Sequence, residues 1–412
     1  MKKAHLHLFD AYGLELEYMI VNKGTFDVMP ISDWLLAQHG TVGAREVERG
    51  LLMWSNELAM HVIELKGNGP VEELSSLTGP MQESIRYMNS LLAEQNACLM
   101  GSAVHPWMNP DSDTRLWQLE DAPIYDALNK AFGCQGHSWF NLQSAHLNLP
   151  FANDEEFARL HAAIRLVLPI IPALAAASPF LDGKDTGVAD ARLNVYSRHC
   201  NRVPEAIGDV IPEPVTDREE YERIVLQPLY RALAPKDPEG ILQFEWSNAR
   251  GAIARFDRNA IEVRLIDVQE HPLMDAGVVS AVAAAVKVLT EQALLDLTAM
   301  NGIPTAQLRA ILNATVQHAE NTRIQNTDYI RLVTGGSRDA CSAARLWRTL
   351  LARCEQFTGT DRRTAEWIID NGTLATRMRR ACGSVNKASL KKLAGRLCQS
   401  LETGEALTGR RL

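Results

Sequence analysis

The feature that most constrains the fold is an alternation of acidic and apolar residues in YGLELEYMIVN, residues 12–22. Leucines alternate with Glu15 and Glu17, so a β-strand here places both carboxylates on one face and aliphatic side chains on the other. Like charges this close repel each other and raise each other's pKa unless positive charge lies nearby. Such a strand needs water or a bound cation on its acidic face and a packed core behind it.

Three further segments repeat this pattern and supply further candidate ligands. They are SNELAMHVIELKG at 55–67 with Glu57 and Glu64, SAHLNLPF at 144–151 with His146 and Asn148, and IEVRLID at 261–267 with Glu262 and Arg264. Glu57 and Glu64 have opposite parity, so a bulge or turn must separate them if both point to one site. One sheet with a wet, acidic concave face and a dry, helix-packed back would explain all four segments together.

Each acidic segment also has an ordinary structural interpretation. Paired glutamates at a strand edge are often only surface residues, and a buried Glu64 would be satisfied by a salt bridge to a lysine or arginine. Glu262 and Arg264 could form a simple ion pair. His146 could be a structural histidine that is hydrogen-bonded within the core.

The spacing of apolar residues elsewhere predicts helices over 70–100, 153–177 and 273–298, and mainly helices after residue 304. Strands at 12–22, 145–151 and 260–268 are separated by helices of varied length without a βαβ rhythm. This order predicts an α+β fold with a mainly antiparallel sheet. Neither GxxxxGK[ST] nor a GxGxxG following a strand occurs, so a nucleotide would have to be held in another way.

Composition narrows the class of protein. A chain of 412 residues with 46% hydrophobic residues can bury a large core, and a net charge of −8 argues against general nucleic-acid binding. The apolar stretch from Gly277 to Leu289 contains Lys287 and is expected to be a buried helix, not a membrane span. Seven scattered cysteines and the lack of a signal peptide predict reduced thiols and a cytoplasmic location.

The C-terminal part of the chain is basic. From residue 337 onward there are 15 Lys and Arg against 7 Asp and Glu. A solvated basic helical face explains this excess, and contacts with phosphates or acidic partner surfaces are the alternative.

Five motifs resemble those of glutamate–cysteine ligase family 2, the bacterial carboxylate–amine ligases. They are GLELEYMIVN (13–22), NELAMHVIELKG (56–67), LQSAHLNL (142–149), ALAAASPFLDGKDTGVADARLNVYS (173–197) and AIEVRLIDVQ (260–269). The motifs occur in the family's order and cover the chain from about residue 10 to about residue 300. One departure is Asn148, which stands where many family members have the second histidine of His-x-His.

The resemblance implies a curved, mainly antiparallel sheet of the glutamine-synthetase-like type, with helices packed on its outer face. It implies a catalytic domain at 1–300, whose concave face holds ATP and metal ions, and a helical C-terminal region at 301–412 packed on it. The metal-binding positions implied are Glu15, Glu17, Glu57, Glu64, His146 and Glu262. Arg264 and Arg192 match catalytic positions near phosphate and the substrate carboxylate, and Arg264, Lys184 and Asp185 are expected to contact the nucleotide.

The activity implied is that of a carbon–nitrogen ligase that depends on ATP and on Mg²⁺ or Mn²⁺. It would activate the γ-carboxylate of glutamate, or of a similar acid, as an acyl phosphate and join it to an amine. The expected partners are small-molecule acid and amine substrates, with no nucleic acid and no membrane, and a homo-oligomer is left open. A metal-dependent amide hydrolase, a non-catalytic regulatory relative and a phosphagen-kinase-like transferase are the alternatives.

Overall fold

The protein, seen in a computed structural model that describes residues 5–118, 122–292, 296–336 and 339–411, is built around an eight-stranded sheet. The strands of this sheet are β1 (Gly13–Asn22), β2 (Glu46–Arg49), β3 (Leu52–Asn56), β4 (Val62–Gly67), β5 (Ala97–Met100), β6 (Ser144–Pro150), β9 (Ala252–Arg255) and β10 (Ala260–Asp267). The strand order is β2-β3-β4-β1-β6-β10-β9, and β5 pairs with the last four residues of β1 on the edge opposite β4. Every neighbouring pair is antiparallel, which confirms the α+β fold with a mainly antiparallel sheet.

Two small antiparallel pairs lie outside this sheet. They are β7 (Phe180–Leu181) with β8 (Lys184–Asp185), and β11 (Arg323–Ile324) with β12 (Cys341–Ser342).

Helices account for most of the remaining regular structure. Before the last strand of the large sheet they are α1 (Ser32–Ala37), α2 (Ser75–Leu92), α3 (Pro110–Asp113), α4 (Ala122–Phe132), α5 (His137–Phe140), α6 (Asp154–Val167), α7 (Pro172–Ala175), α8 (Ala191–Tyr196), α9 (Arg218–Tyr221) and α10 (Gln227–Leu233). After it they are α11 (Pro272–Glu291), α12 (Leu297–Asn301), α13 (Thr305–His318), α14 (Thr327–Thr334), α15 (Ala343–Ala352), α16 (Gly359–Asn371), α17 (Leu374–Cys382) and α18 (Lys387–Thr403).

The aliphatic face of the sheet forms its buried side. Leu14, Leu147 and Val263 stand next to one another in register across β1, β6 and β10, and all three are buried. Each such side chain contributes about 1.5–3 kcal/mol of transfer free energy when it is fully buried. α11 packs against α2, α6 and β6 on this side. The opposite face of the same strands is therefore left to the polar residues.

α11 is long and apolar enough to cross a membrane by length and composition alone. However, 72% of its most apolar stretch is buried inside the protein, against neighbouring helices and the sheet. This confirms the prediction of a buried helix. The predicted helix over 273–298 corresponds to α11 and the start of α12, and residues 293–295 lie outside the described part of the chain.

Two predicted helices are shorter than expected. The segment 153–177 divides into α6, a short 3₁₀ turn and α7, because Pro169 and Pro172 lack the N–H that a continuous helix requires. Residues 97–100 form β5 and not the end of a helix, after Asn96 adopts a left-handed conformation with φ of 53°. A non-glycine residue in this conformation ends the helix and redirects the chain.

The C-terminal helices are joined to the rest of the protein by buried contacts. α16 packs along α11, and Arg377 on α17 forms an ion pair with Glu270 in which both side chains are fully buried. The division into domains at residue 300 stays a prediction.

Candidate active site

Antiparallel pairing brings the acidic residues of distant segments onto one face. Glu17 on β1 stands opposite Glu64 on β4. On the other side of β1, Glu15 stands opposite His146 on β6. The face predicted to be acidic is therefore one continuous surface across three neighbouring strands.

Glu262 completes a compact cluster with Glu15 and His146. It lies on β10, which pairs with the far edge of β6. His146 Nδ1 lies 3.2 Å from Glu15 Oε2 and 3.8 Å from Glu262 Oε1. One possible ligand atom from each residue lies within 4.8 Å of the others, a spacing that could hold a single metal ion. Carboxylates dominate this set, and they are the hard donors that Mg²⁺ and Mn²⁺ prefer.

The electrostatics of this cluster favour positive charge at its centre. Burial alone would lower the pKa of His146, but the hydrogen bond to Glu15 and the charges of Glu17 and Glu262 outweigh burial and raise it. Burial would likewise raise the pKa of Glu15, yet the hydrogen bond and charge of His146 lower it to about 2. The donor set therefore fits a cation, which would supply the same compensation as a protonated imidazole.

The β3–β4 hairpin provides the turn that Glu57 and Glu64 require. Glu57 directly follows β3, and Glu64 lies on β4 opposite Ser55. The Ser55 hydroxyl donates a hydrogen bond of 2.5 Å to Glu64 Oε2. Lys66 Nζ lies 2.9 Å from the same oxygen, so the salt bridge that is the structural alternative for Glu64 is also present.

Glu57 and Glu64 repel one another in spite of Lys66. Burial, followed by the charges of Glu17 and Glu64, raises the pKa of Glu57 well above its usual range. Burial, followed by the charge of Glu15, raises the pKa of Glu64 to about 7. Three carboxylates thus crowd one end of the face, where a second cation would relieve their repulsion. Within the described ranges, however, the ligand spacing of a metal site is found only in the cluster of Glu15, His146 and Glu262.

Neutral donors on β6 orient two of the carboxylates. Ser144 donates to Glu17 Oε2 through its backbone N–H at 2.7 Å and its hydroxyl at 3.1 Å. Asn148 Nδ2 donates to Glu15 Oε1 at 3.0 Å. The amide that departs from the family's usual histidine is therefore a hydrogen-bond donor to a candidate ligand.

Two guanidinium groups flank Glu262. Arg264 Nε donates to Glu262 Oε1 at 2.6 Å, and Arg255 Nη1 donates to Oε2 at 3.5 Å. The simple ion pair suggested for Glu262 and Arg264 is thus formed, while the same carboxylate still faces His146. Positive and negative side chains alternate along this edge of the acidic face, an arrangement that suits a ligand carrying phosphate and metal together.

Arg192, on α8, is held beside this edge. Its Nη1 lies 3.3 Å from Asp267 Oδ1, and its Nη2 donates to the backbone carbonyl of Arg264 at 2.8 Å. Each terminal nitrogen keeps a second N–H for another acceptor.

A cavity of about 590 Å³ opens over the acidic face. Its floor includes Glu17, Glu57, Glu64 and His146, and Arg192 and Arg264 line it as well. The facing wall is largely aromatic and aliphatic. It comprises Ile124, Tyr125, Leu128, Phe132, Trp139, Leu142, Tyr196, His199 and Trp246. This volume is within the range of small-molecule sites, about 300–1,000 Å³.

Lys184 and Asp185 do not join this site. They form β8 of a small hairpin, are exposed, and are absent from the described residues that line the cavity. Asp185 pairs instead with Arg379 of α17, at 2.6 Å and 2.9 Å. Their contact with a nucleotide stays a prediction, and in this structure the hairpin lies against the C-terminal helices through Asp185 and Arg379.

Sequence reasoning missed several residues that line the cavity. Arg255 was detectable, because IARFDRNAIEV reads as two short strands joined by a turn rich in Asp and Asn. Trp139 lies on the single-turn helix α5 and His199 in the turn after α8, and no periodicity in the sequence marks them.

Sequence comparisons relate nearly the whole chain to known proteins. The sequence pattern of glutamate–cysteine ligase family 2 matches residues 11–387. An uncharacterised protein of Archaeoglobus fulgidus is 32% identical over 84% of this chain and 97% of its own. A protein of Citrobacter koseri named "Putative glutamate--cysteine ligase 2" is 24% identical over 90% of this chain and 95% of its own.

The fold has a solved counterpart. The glutamate–cysteine ligase of Francisella tularensis, crystallised in complex with AMP, superposes with a TM-score of 0.57 at 13% identity, over 95% of this chain and 89% of the other. At this level of sequence identity, the superposition supports only a similarity of fold. The family match over nearly the whole chain carries the assignment: this protein belongs to glutamate–cysteine ligase family 2 and has a ligase-like α+β fold.

Proposed function

We propose that this protein is an ATP-dependent carboxylate–amine ligase that activates the γ-carboxylate of glutamate, or of a similar acid, and joins it to an amine. Membership of the family supports a carboxylate–amine ligase. The single observation that carries the finer proposal is the cluster of Glu15, His146 and Glu262, with ligand atoms within 4.8 Å, directly beside Arg264. Such a surface can bind metal and phosphate at once.

The acidic residues bind cations in this proposal and transfer no proton. Glu15, His146 and Glu262 would hold one Mg²⁺ or Mn²⁺, and Glu17, Glu57 and Glu64 are the donors for a second. When bound, the cations neutralise the phosphates of ATP and orient the γ-phosphoryl group. The protein's own residues fix the donors, because Ser144 and Asn148 hold carboxylates of the acidic face through hydrogen bonds.

Arg264 would stabilise the charge that develops on the transferred phosphoryl group. Its Nε donates to Glu262 at 2.6 Å, which fixes the guanidinium plane, and N–H groups of the terminal nitrogens remain for an anion beside the hydrogen bond to Tyr196. Arg192 holds the backbone of Arg264 and would contribute N–H groups to phosphate or to the substrate carboxylate.

The chemistry explains why both kinds of charge are needed. A carboxylate and an amine do not form an amide at neutral pH without activation. Phosphorylation by ATP converts the carboxylate to an acyl phosphate, which the amine attacks with loss of inorganic phosphate. The first step brings two anions together, and the arginines of this face, with the cations that its carboxylates would hold, would offset their repulsion.

We also propose a cytoplasmic location. All seven cysteines lie in described residues, and all are free and buried. Reduced thiols of this kind are typical of a reducing compartment.

The test is an assay of ADP release and amide formation with ATP, Mg²⁺, glutamate and a panel of amines. We expect both products with the wild type, and neither with Glu262→Gln or Glu15→Gln. Glu219→Gln, at an exposed position outside the cavity lining, is the matched control and should keep full activity.

Three results would contradict the proposal. Metal-dependent amide cleavage without ATP would indicate a hydrolase, and failure to bind any nucleotide would indicate a non-catalytic scaffold. Near-normal turnover in both glutamate variants would remove these residues from the metal site.

A further inference from the structure

His199 is fixed in one orientation at the wall of the cavity. Its ring stacks on Trp139, with ring centroids 3.9 Å apart and planes at 30°, and on Tyr196, with centroids 5.4 Å apart and planes at 16°. Its Nδ1 lies 2.7 Å from the backbone carbonyl of Ser138. Because a carbonyl can only accept, Nδ1 carries the proton, and Nε2 of the neutral ring presents a lone pair.

That lone pair is open to the cavity. His199 lines the cavity, and within the described part of the chain its Nε2 has no hydrogen-bond partner. Burial lowers the pKa of His199 to about 4; the Ser138 carbonyl opposes this effect, and the charge of Arg264 adds to it. The ring is therefore neutral at physiological pH, and its acceptor is available.

His199 lies near Arg264, a residue that we assign to the reaction. Arg264, which we assign to the phosphoryl group, is close enough for its charge to act on both His199 and Tyr196. Apolar side chains, among them Leu142 and Trp139, form the surrounding wall. A wall of this kind disfavours the ammonium form of an entering amine, because burial disfavours the charged form of a base.

Resting on the proposed function, we propose that His199 Nε2 accepts the proton that the amine loses as it attacks the acyl phosphate. The amine nitrogen forms a bond to the acyl carbon, the bond from that carbon to the phosphate oxygen breaks, and inorganic phosphate leaves. The proton passes from the nitrogen to Nε2, and later from Nε2 to water. The anionic phosphate next to the ring favours its protonated form at the moment of transfer.

The test compares two nucleophiles of different basicity. Formation of the acyl phosphate is thereby measured separately from its reaction with the amine. Hydroxylamine is weakly basic and largely uncharged at pH 7, so it traps an acyl phosphate as a hydroxamate without help from a base. The amine that is the best substrate of the wild type in the panel is the second nucleophile. The measurement is the ratio of amide to hydroxamate formed by each variant with glutamate, ATP and Mg²⁺.

His199→Asn is the informative variant. Its side-chain amide can still donate to Ser138, as Nδ1 does, but nothing replaces the lone pair of Nε2. We expect the ratio of amide to hydroxamate to fall by about 10²-fold or more, the usual contribution of a general base. A variant that folds poorly would lose both products together and leave the ratio unchanged, so the ratio tests His199 independently of stability.

His318→Asn is the control, since His318 is exposed on α13 and does not line the cavity. An unchanged ratio in His199→Asn, with hydroxamate still formed, would overturn the role of His199 and leave the ligase proposal intact. If the wild type forms no hydroxamate at all, the acyl phosphate is absent and both proposals fail.

Discussion

Glu64 gives the sharpest test of the acidic face, because its charge should weaken the fold. In the unfolded chain its pKa is near the ordinary value of 4.5, whereas burial and the charge of Glu15 raise it to about 7 in the folded protein. The folded state therefore binds the proton more tightly, so the related stability is fully present below pH 4.5 and is lost as the pH rises through 7. Each unit of difference in pKa corresponds to about 1.4 kcal/mol, so the loss reaches about 3 kcal/mol.

Glu64→Gln should remove this loss. Glutamine has nearly the same shape, carries no charge, and can still accept the hydrogen bond from Ser55. With a chelator present, we expect the variant to be more stable than the wild type by about 3 kcal/mol at pH 8 and by less than about 1 kcal/mol at pH 5. The measurement is the free energy of unfolding by urea at the two pH values.

The control is Glu48→Gln, an exposed position on β2 that should change stability by no more than about 0.5 kcal/mol at either pH. Saturating Mg²⁺, at about 100 times its dissociation constant, should stabilise the wild type by about 2.7 kcal/mol and Glu64→Gln by clearly less. A Glu64→Gln protein that is no more stable than the wild type at pH 8, or a difference in stability that does not change with pH, would refute the reasoning.

Three further predictions concern other residues. Glu270→Gln should lower the free energy of unfolding by about 3–5 kcal/mol, measured by chemical denaturation, because it leaves the fully buried Arg377 without its counter-charge; a loss below about 1 kcal/mol would contradict this. Arg264→Lys should lower kcat for ADP release at least about tenfold, since a point charge cannot replace a planar fork held by Glu262; an unchanged kcat would remove Arg264 from phosphoryl transfer. Lys184→Ala should leave the KM for ATP within about twofold in steady-state kinetics, because this exposed side chain is not among the described cavity residues; a larger rise would return it to the nucleotide site.

The strands of the site could be predicted because the alternation of polar and apolar residues that marks each strand lies within one short segment. The alternation in 12–22, 144–151 and 261–267 specifies which side chains share a face, and a packed helical layer on one side of the sheet requires the acids to lie on the other. That was sufficient to predict that Glu15, His146 and Glu262 lie on the same face of one sheet. The run of apolar residues was also sufficient to predict α11, most of whose residues are buried.

Pairing between distant strands could not be predicted in the same way. The sequence does not state that β6 inserts between β1 and β10, or that this order places Asn148 beside Glu15. The position of Lys184 and Asp185 in the fold could not be predicted for a related reason. A loop rich in Gly and Asp has the composition of a ligand-binding segment, but its direction depends on a partner almost 200 residues away, the ion pair of Asp185 with Arg379.

The charge of Glu64 is expected to destabilise the fold, and this explains why neighbouring side chains must hold the carboxylates of this face by hydrogen bonds. A carboxylate that is buried beside others would relieve the repulsion by turning toward solvent, unless its neighbours prevent it. Ser55 holds Glu64, Ser144 holds Glu17, and each hydrogen bond comes from a residue on an adjacent strand. The folded protein therefore retains a cluster of carboxylates that its own basic side chains do not fully neutralise. A ligand that brings positive charge would relieve this repulsion, and the free energy gained would add to its binding. Under the proposed function, that ligand is a nucleotide that carries its metal ions.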